Sequence, residues 1–352
     1  MLKEKLRENK ETLIKLLPLI SFITPFLILY LLQDVTFRYS FEATWKGRAF
    51  YIFFIWFAVL EMIVSWEKLQ PKTFKRPKYV RTIAFILALS LPTIYVVVSN
   101  FYGLNEAIYE WSKKNNIAGG VWGHIFMPLS IEYLAFAAFF FLIVFLQYGA
   151  YGFRRMSLAP SFLAAMGIIY MIDNLYPYGQ FTPFQIPAIA TATVTSLILN
   201  LMGYQTSLRY IYCKLSPQLG WAPDLFYYNP ALGKEKYVFT VAWPCSGVES
   251  LIIYTLFMLI FLRDLDISRT KKIIYFVIGA IITYFINIGR IIALFMIAIN
   301  YGSGELFKRF HEYYGQLISI SWISVYPLLI IVGGNILQKI KFFIKFLKKR
   351  LS

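Results

Sequence analysis

Long apolar runs constrain this chain more than any other feature of its sequence. Several windows of about 17 or more residues carry almost no charged side chains, which is the length that a membrane-spanning helix needs. A water-soluble domain of 352 residues would carry more charge on its surface than the 15% found here. A transmembrane β-barrel would show short segments of alternating polarity, and none is visible. The sequence therefore predicts an all-α, polytopic helical membrane protein with about eight or nine transmembrane helices.

The apolar runs predict candidate spans along most of the chain. Basic residues precede the first run, but no small-residue cleavage site follows it, so we expect a retained anchor rather than a signal peptide. The long polar connection 204–246 is expected to be an ordered loop exposed to water. The candidate spans are 13–32, 49–66, 81–99, 125–147, 160–177, 183–203, 247–263, 273–300 and 316–337.

The positions of the basic residues predict the orientation in the membrane. The net charge of +17 could also suggest nucleic-acid binding, but the basic residues cluster at the ends of apolar runs. That placement is typical of cytoplasmic flanks facing anionic lipid, and it puts both chain termini inside. Cys245 then lies on the outer face, at the start of the span 247–263. The residues that set this orientation include Lys3, Lys5, Arg7, Lys10, Lys68, Lys72, Lys75, Arg76, Arg263, Arg269, Lys271, Lys272, Lys348 and Lys349.

The number of spans conflicts with this orientation in one region. Arg154 and Arg155 fit the inside, and two apolar runs separate them from residue 246, which must lie outside. Two complete spans would return the chain to the inside. Because prolines and polar residues interrupt this region, we expect either 160–177 or 183–203 to be re-entrant or partial, unless one of the assigned spans is wrong.

Three chemically capable residues are predicted to lie at one depth on the outer side. Arg290 lies about 18 residues into the span 273–300, or roughly 27 Å along a helix, close to the outer edge of the hydrocarbon core. Cys245 opens the preceding span, and His311 lies in the outer connection 301–315. Charge and apolar periodicity alone therefore bring a thiol, a guanidinium and an imidazole together.

The residues around Cys245 indicate that its thiol could act as a nucleophile. The sequence from Ser246 to Glu249 matches a capping box, with Ser246 as the N-cap residue and Glu249 reaching back. Cys245 would then lie at a helix N-terminus, where the dipole favours the thiolate. Arg290 could stabilise that thiolate or hold a developing oxyanion, and His311 could act as base or acid. Glu249 is expected to be a cap rather than a catalytic base, because an anion beside the thiol opposes ionisation.

Simpler roles are open for several residues. A lone membrane cysteine is most often an inert small hydrophobe, which is our expectation for Cys213. His311 could be an ordinary loop residue and Arg290 an interface anchor, but an ionisable residue in an apolar helix is functional by default. His124 is expected to lie at the membrane interface. Three acids lie within apolar runs, where they could pair with basic residues or line a substrate groove: Glu61, Glu132 and Asp173.

Three short motifs carry the candidate residues: "PCSGVESL" opens an apolar helix, "NIGR" lies in the next one, and "FHEYYG" precedes the last. In this order they resemble the exosortase and archaeosortase family of membrane cysteine transpeptidases. The preceding segment "PFQIPAIATATVTSLILNLMGY" is also similar to that family's helix and loop ahead of the cysteine. The resemblance implies that Cys245, Arg290 and His311 are catalytic. Glu249 stands where the family often has a basic or neutral residue, which leaves the subfamily and its sorting signal open.

The resemblance implies a sortase-like reaction at the cell membrane. The substrate would be a secreted protein whose C-terminal tail carries a short motif, one membrane helix and a basic cluster. Cys245 would attack beside the motif, and the protein would pass to an amine on a lipid or an envelope glycan. Weak candidates for substrate binding are Asn287, Ser246 and Glu249. The implied regions are N-terminal transmembrane helices (1–159), a catalytic membrane core (160–337) and a basic cytoplasmic tail (338–352).

Other functions are open alternatives. A hydrolytic membrane peptidase would use water in place of the amine. A transporter would use Arg290 and the intramembrane acids as a polar pathway, which the prolines within 160–203 support. A non-catalytic scaffold is the third alternative. Two cysteines and two histidines show no zinc-ligand spacing, and there is no glycine-rich phosphate loop, so we expect no metal, no cofactor and no nucleic acid partner.

The orientation can be tested with an impermeant thiol reagent on intact cells. In a variant whose two native cysteines are replaced, a cysteine at position 229 should react from outside and one at position 75 should not. The reason is that the basic connection around position 75 is predicted to stay in the cytoplasm. Labelling at position 75 alone would overturn the orientation and the placement of Cys245 on the outer face.

Overall fold

Helices account for about 80% of the residues that the computed structural model describes, and the chain divides into two units. The first unit comprises the helices before residue 181, and the second begins at Thr182. All structural statements below concern the described residues, which are 2–32, 45–71, 79–115, 117, 123–175, 182–212, 221–263, 265–315, 317–319 and 321–333.

Five of the helices in the first unit coincide with predicted spans. The sequence did not predict the fourth helix of this unit, because Glu106, Lys113 and Lys114 interrupt its apolar residues. The described helices of this unit are α1 Leu2–Leu31, α2 Trp45–Ser65, α3 Tyr79–Phe101, α4 Leu104–Lys114, α5 Gly123–Arg155 and α6 Leu158–Leu175.

Aromatic packing fills the core of the first unit. The ring of Phe22 in α1 lies 5.1 Å from that of Phe54 in α2 and 5.6 Å from that of Phe136 in α5, in edge-to-face arrangements. All three side chains are fully buried. This geometry is favourable because the electropositive edge of one ring meets the electronegative face of the other. The many aromatic residues of the sequence are therefore used, in this unit, to join helices.

Two acids that lie within apolar runs are hydrogen-bonded inside the first unit. Glu132 of α5 accepts a short hydrogen bond from the hydroxyl of Tyr51 in α2, and both side chains are buried. Glu61 of α2 accepts hydrogen bonds from the backbone N–H groups of Leu158 (3.0 Å) and Ala159 (3.1 Å). Those residues begin α6, so Glu61 caps a helix that lies almost 100 positions away in the sequence. Glu132 thus binds a phenol, and Glu61 binds a helix N-terminus.

The second unit combines apolar helices with a small sheet. Its elements follow one another as α7 Thr182–Leu201, β1 Thr206–Tyr212, β2 Trp221–Asn229, β3 Lys234–Thr240, a 3₁₀ turn Trp243–Ser246, α8 Val248–Arg263, α9 Arg269–Tyr301, α10 Glu305–Arg309, a π-helical turn Phe310–Tyr314 and α11 Leu317–Gly333.

The connection 204–246 is more regular than the ordered loop that we expected. It forms a three-stranded antiparallel sheet in the order β1-β2-β3. Leu225 of β2 is buried against Leu199 of α7 and Phe295 of α9, so the sheet is attached to two helices of its own unit. Because β3 ends five residues before Cys245, the sheet determines where the chain enters the turn that carries the thiol.

The class of the protein is the predicted one. Several helices are long and apolar enough to cross a membrane, and further apolar helices are shorter, so the prediction of an all-α polytopic membrane protein is confirmed. The two runs in the region of conflict correspond to shorter helices, and the prediction that one of them is partial stays a prediction. The long helices are Glu11–Leu29, Tyr79–Phe101, Met127–Arg155 and Arg269–Tyr301, and the shorter ones are Phe50–Ser65, Leu158–Ile172, Ile186–Leu201 and Leu317–Gly333.

Loss of the Glu61 cap should destabilise the protein. Glu61→Ala leaves two backbone N–H groups at the start of α6 without this acceptor, and leaving such a buried group unpaired costs about 1–3 kcal/mol. Glu61→Gln keeps one acceptor oxygen and should cost less. Thermal unfolding in detergent, followed by circular dichroism, should place the glutamine variant between the wild type and the alanine variant. The control is Glu67→Ala at an exposed position, and equal melting of the two alanine variants would contradict the capping role.

Candidate active site

Cys245 lies in a tight turn between the sheet and a helix. The 3₁₀ turn Trp243–Ser246 is followed by Gly247, whose φ of 91° lies in the left-handed region that favours glycine. Helix α8 begins directly after Gly247. The predicted capping box is therefore wrong, because Gly247 and not Ser246 precedes the helix. The Ser246 hydroxyl instead donates a hydrogen bond back to the carbonyl of Trp243 at 2.5 Å.

The Cys245 thiol and the His311 imidazole are neighbours. Their Sγ and Nε2 atoms lie 3.4 Å apart, within hydrogen-bonding distance for sulfur. Cys245 is a free thiol, and Cys245 and His311 are both partly exposed. An imidazole at this distance can take the proton of the thiol, which is how a cysteine nucleophile is activated. Two of the three residues predicted from the sequence to be catalytic are thus in direct contact.

Arg290, the third of these residues, is bound to the segment that carries His311. Its Nη2 donates a hydrogen bond to the His311 carbonyl at 3.0 Å, and its side chain is buried. Gly315 lies directly against the Arg290 side chain and leaves no space there for a Cβ. The charge of Arg290 also interacts with Cys245 and Glu249. Arg290 therefore combines a bond that holds the backbone of His311 with a positive charge near the thiol.

An aromatic ring restricts the orientation of the His311 imidazole. The ring of Phe307 in α10 lies parallel to it, with an interplanar angle of 3° and a centroid distance of 6.2 Å. Phe307 also contacts Phe239 of β3 at a centroid distance of 6.0 Å. The sheet thus supports the imidazole through two rings that the sequence analysis did not single out.

Two further side chains bind the backbone of the turn itself. Asn287 of α9 donates its Nδ2–H to the carbonyl of Cys245 at 2.9 Å, and the Thr191 hydroxyl of α7 donates to the carbonyl of Ser246 at 3.0 Å. Both side chains are fully buried. Asn287 was a weak candidate for substrate binding, whereas sequence reasoning missed Thr191, because a threonine within an apolar helix carries no signal of its own. The glycine of "PCSG" could have indicated close packing beside the cysteine.

The other sequence-predicted residues fall in different places. Glu249 is the second residue of α8 and is buried. Cys213 lies outside the described residues, as do the side chains of His124 and Asp173. Within the described part of the chain, no group of three or more His, Cys, Asp or Glu side chains could hold a metal ion. Whether Asn287, Ser246 or Glu249 contacts substrate stays a prediction.

Comparison with known protein families identified a match over most of the chain. The sequence model of the transmembrane exosortases matches residues 44–328, which is most of the chain and includes every residue of the site described above. Searches among curated proteins and among solved structures gave no match.

Gly315→Ala should disturb the site without removing any of its polar groups. The new Cβ would lie 2.6 Å from Nε of Arg290, so the buried side chain has to move and its bond to the His311 carbonyl is weakened. We expect a lower melting temperature and slower alkylation of Cys245 by iodoacetamide, measured on the Cys245 peptide by mass spectrometry.

The matched control is Gly289→Ala on the same helix as Arg290. Nothing lies within 4 Å of the Cβ position of Gly289, and alanine is a better helix former than glycine by about 1 kcal/mol. This variant should keep the wild-type alkylation rate and melt no earlier. If Gly315→Ala behaves in the same way, the close packing of Gly315 against Arg290 is contradicted.

Proposed function

Because the chain belongs to the transmembrane exosortase family, we propose that it is a sortase-like cysteine transpeptidase that processes secreted proteins. An exosortase-type function in the membrane follows from the family. The observation that carries the finer proposal is the 3.4 Å contact between Cys245 Sγ and His311 Nε2. This contact joins the two residues that a cysteine nucleophile and its base require, and they come from segments 66 residues apart.

The proposed substrate is a secreted protein with a C-terminal tail of three parts: a short motif, one membrane helix and a basic cluster. The reaction is placed at the outer face of the cell membrane, with the C-terminus of the enzyme in the cytoplasm. The length of α9 supports this placement. Arg290 lies 21 residues after Arg269, or about 31 Å along the helix, which matches the thickness of the hydrocarbon core.

The first chemical step is attack by the thiol on the substrate. His311 Nε2 takes the proton from Cys245 Sγ, and the thiolate attacks the carbonyl carbon of the scissile peptide bond. A C–S bond forms while the electron pair of the C=O bond moves to the oxygen. Arg290 places a positive charge near Cys245, and its hydrogen bond to the His311 carbonyl keeps the base in place.

The following steps release one part of the substrate and transfer the other. The tetrahedral intermediate collapses, the C–N bond breaks, and His311 gives its proton to the departing amine, which leaves with the membrane helix. The protein is then held as a thioester on Cys245. An acceptor amine on a lipid or an envelope glycan attacks the thioester, its proton passes through His311, and the free thiol is restored.

Arg290 has two supported contributions in this scheme, its charge near the thiol and its bond to the His311 backbone. A direct role in binding the oxyanion stays a prediction. Arg290→Lys tests the guanidinium geometry, because an ammonium keeps the charge but lacks the planar fork of donors. We expect this variant to lose most of its processing activity while it remains expressed in the membrane.

Replacement of the nucleophile should abolish processing. Cys245→Ala should accumulate the tail-bearing precursor at its full mass, and Cys245→Ser should do the same because a hydroxyl ionises far less readily than a thiol. His311→Ala should slow processing by about 10²–10⁴-fold, the usual contribution of general acid–base catalysis. Intact mass of the secreted proteins, compared between wild-type and variant cells, gives the readout.

The matched control is Cys213→Ser, which should process substrate like the wild type. Product mass separates the two enzymatic alternatives, because transfer adds the mass of the acceptor whereas hydrolysis leaves a free carboxylate. A well-folded Cys245→Ala protein that still processes precursor would end the proposal of a cysteine enzyme and favour the transporter or scaffold alternative.

A further inference from the structure

We propose that Asn287 and Thr191 are positioning residues, which hold the Cys245 turn in the one arrangement that brings the thiol to His311. The inference rests on the proposed function in one respect, since it takes Cys245 as the nucleophile. It adds a role for two buried side chains that the reaction scheme does not use, and it assigns the Asn of the "NIGR" motif a task distinct from that of the Arg.

The two side chains bind consecutive carbonyl groups. Asn287 donates to the carbonyl of Cys245 at 2.9 Å and Thr191 to that of Ser246 at 3.0 Å. The hydrogen bond that opens the helical ladder of α8 runs from the N–H of Leu251 to the carbonyl of Gly247. The two carbonyls therefore lie just before that bond, and side chains from two other helices bind them.

The "NIGR" motif fixes the two reacting residues from one helix face. Asn287 and Arg290 are three residues apart on α9 and so point to the same side. Asn287 binds the carbonyl of Cys245, and Arg290 binds the carbonyl of His311. Each donor holds backbone rather than a mobile side chain. The spacing of the two donors on α9 therefore sets the separation of the segments that carry the thiol and the imidazole.

The packing of Asn287 against Gly247 leaves the turn little freedom to shift. A Cβ on Gly247 would lie 2.9 Å from both Cγ and Nδ2 of Asn287, so the two residues are already in close contact. Thr191 reaches the turn from α7, which is a different helix from that of Asn287. The turn is thus held by donors from two directions.

Two exposed side chains on the same helices bond within their own helix. Asn300 of α9 donates to the carbonyl of Met296, and Thr193 of α7 donates to that of Ile189, in each case four residues back in its own helix. Both side chains are exposed. Asn287 and Thr191 differ in being buried and in reaching another segment, which is the feature that indicates a specific task.

The test measures the thiol directly, without any substrate. Asn287→Leu removes the donor while it keeps a branched side chain of similar size and adds no charge. The rate of alkylation of Cys245 by iodoacetamide is measured by mass spectrometry at pH 7 and pH 10. An ordinary thiol, with a pKa near 8.5, is only about 3% ionised at pH 7 but almost fully ionised at pH 10.

We expect Cys245 of the Asn287→Leu variant to be alkylated about 3- to 10-fold more slowly than Cys245 of the wild type at pH 7. The difference is no larger because a thiol that ionises easily is also a weaker nucleophile. At pH 10 the variant should react within about twofold of wild type, because ionisation then needs no base. Equal slowing at both values would show reduced access to the thiol and would overturn the proposal, as would an unchanged rate at pH 7. Asn300→Leu is the control, and it should match the wild type at both pH values.

A double variant shows whether Asn287 acts through His311. His311→Ala should slow the reaction at pH 7 by itself. If Asn287 only aligns the thiol with the imidazole, Asn287→Leu should add no further slowing in the His311→Ala background, since residues that act as a unit are not additive. Full additivity of the two effects would overturn the positioning role.

Thr191 gives an independent pair of variants, which keeps the proposal testable if Asn287→Leu fails to fold. Thr191→Val removes the hydroxyl at nearly constant volume and should be slowed at pH 7, whereas Thr191→Ser keeps the donor and should recover the wild-type rate. Thr193→Val is the control on the same helix. Because alkylation needs no substrate, failure of these results and failure of the Cys245→Ala processing test remain distinguishable.

Discussion

The pairing of backbone polar groups in an apolar surrounding is the constraint on which the site depends. In a membrane protein an unpaired carbonyl finds little water, so a break in helical structure needs partners from the protein itself. After strand β3 the chain forms the turn Trp243–Gly247, which carries Cys245, before helix α8 begins. The carbonyls of Cys245 and Ser246 in this turn are bound by Asn287 and Thr191, and the carbonyl of His311 by Arg290. Cys245 and His311 are partly exposed, whereas the donors that bind the backbone of the two segments are buried.

Much of the architecture was predictable because membrane helices can be recognised in a sequence by their length and apolar composition. The apolar runs gave the helical class, and the order of Cys245, Arg290 and His311 along successive segments indicated a shared depth. That reasoning needs only the rise of a helix and the thickness of a bilayer. It does not predict contacts between side chains. The 3.4 Å distance between Cys245 Sγ and His311 Nε2 depends on how α9 packs against the turn.

The features that sequence reasoning missed or misassigned have tertiary causes. The residues from Ser246 to Glu249 fit a capping box, but that pattern does not record that Gly247 adopts a positive φ against Asn287, which moves the helix start by one residue. The sheet within 204–246 was not recognised, because its short strands contain charged residues and lie between Gly- and Pro-rich segments. Glu61 caps a helix 97 positions away, and no local pattern predicts such a partner.

The charges around Cys245 are consistent with the proposed role of this residue as a nucleophile. Removing a charge from water is costly unless it is paired, and Arg290 and Glu249 are both buried and interact electrostatically. Transfer of a proton from Cys245 to His311 turns two neutral groups into an ion pair and leaves the net charge of the site unchanged. A reaction that keeps the proton within a contact of 3.4 Å therefore avoids creating an isolated buried ion. In the proposed reaction the proton stays between these two groups only while they remain in contact. The backbone that carries Cys245 and His311 must therefore stay in place.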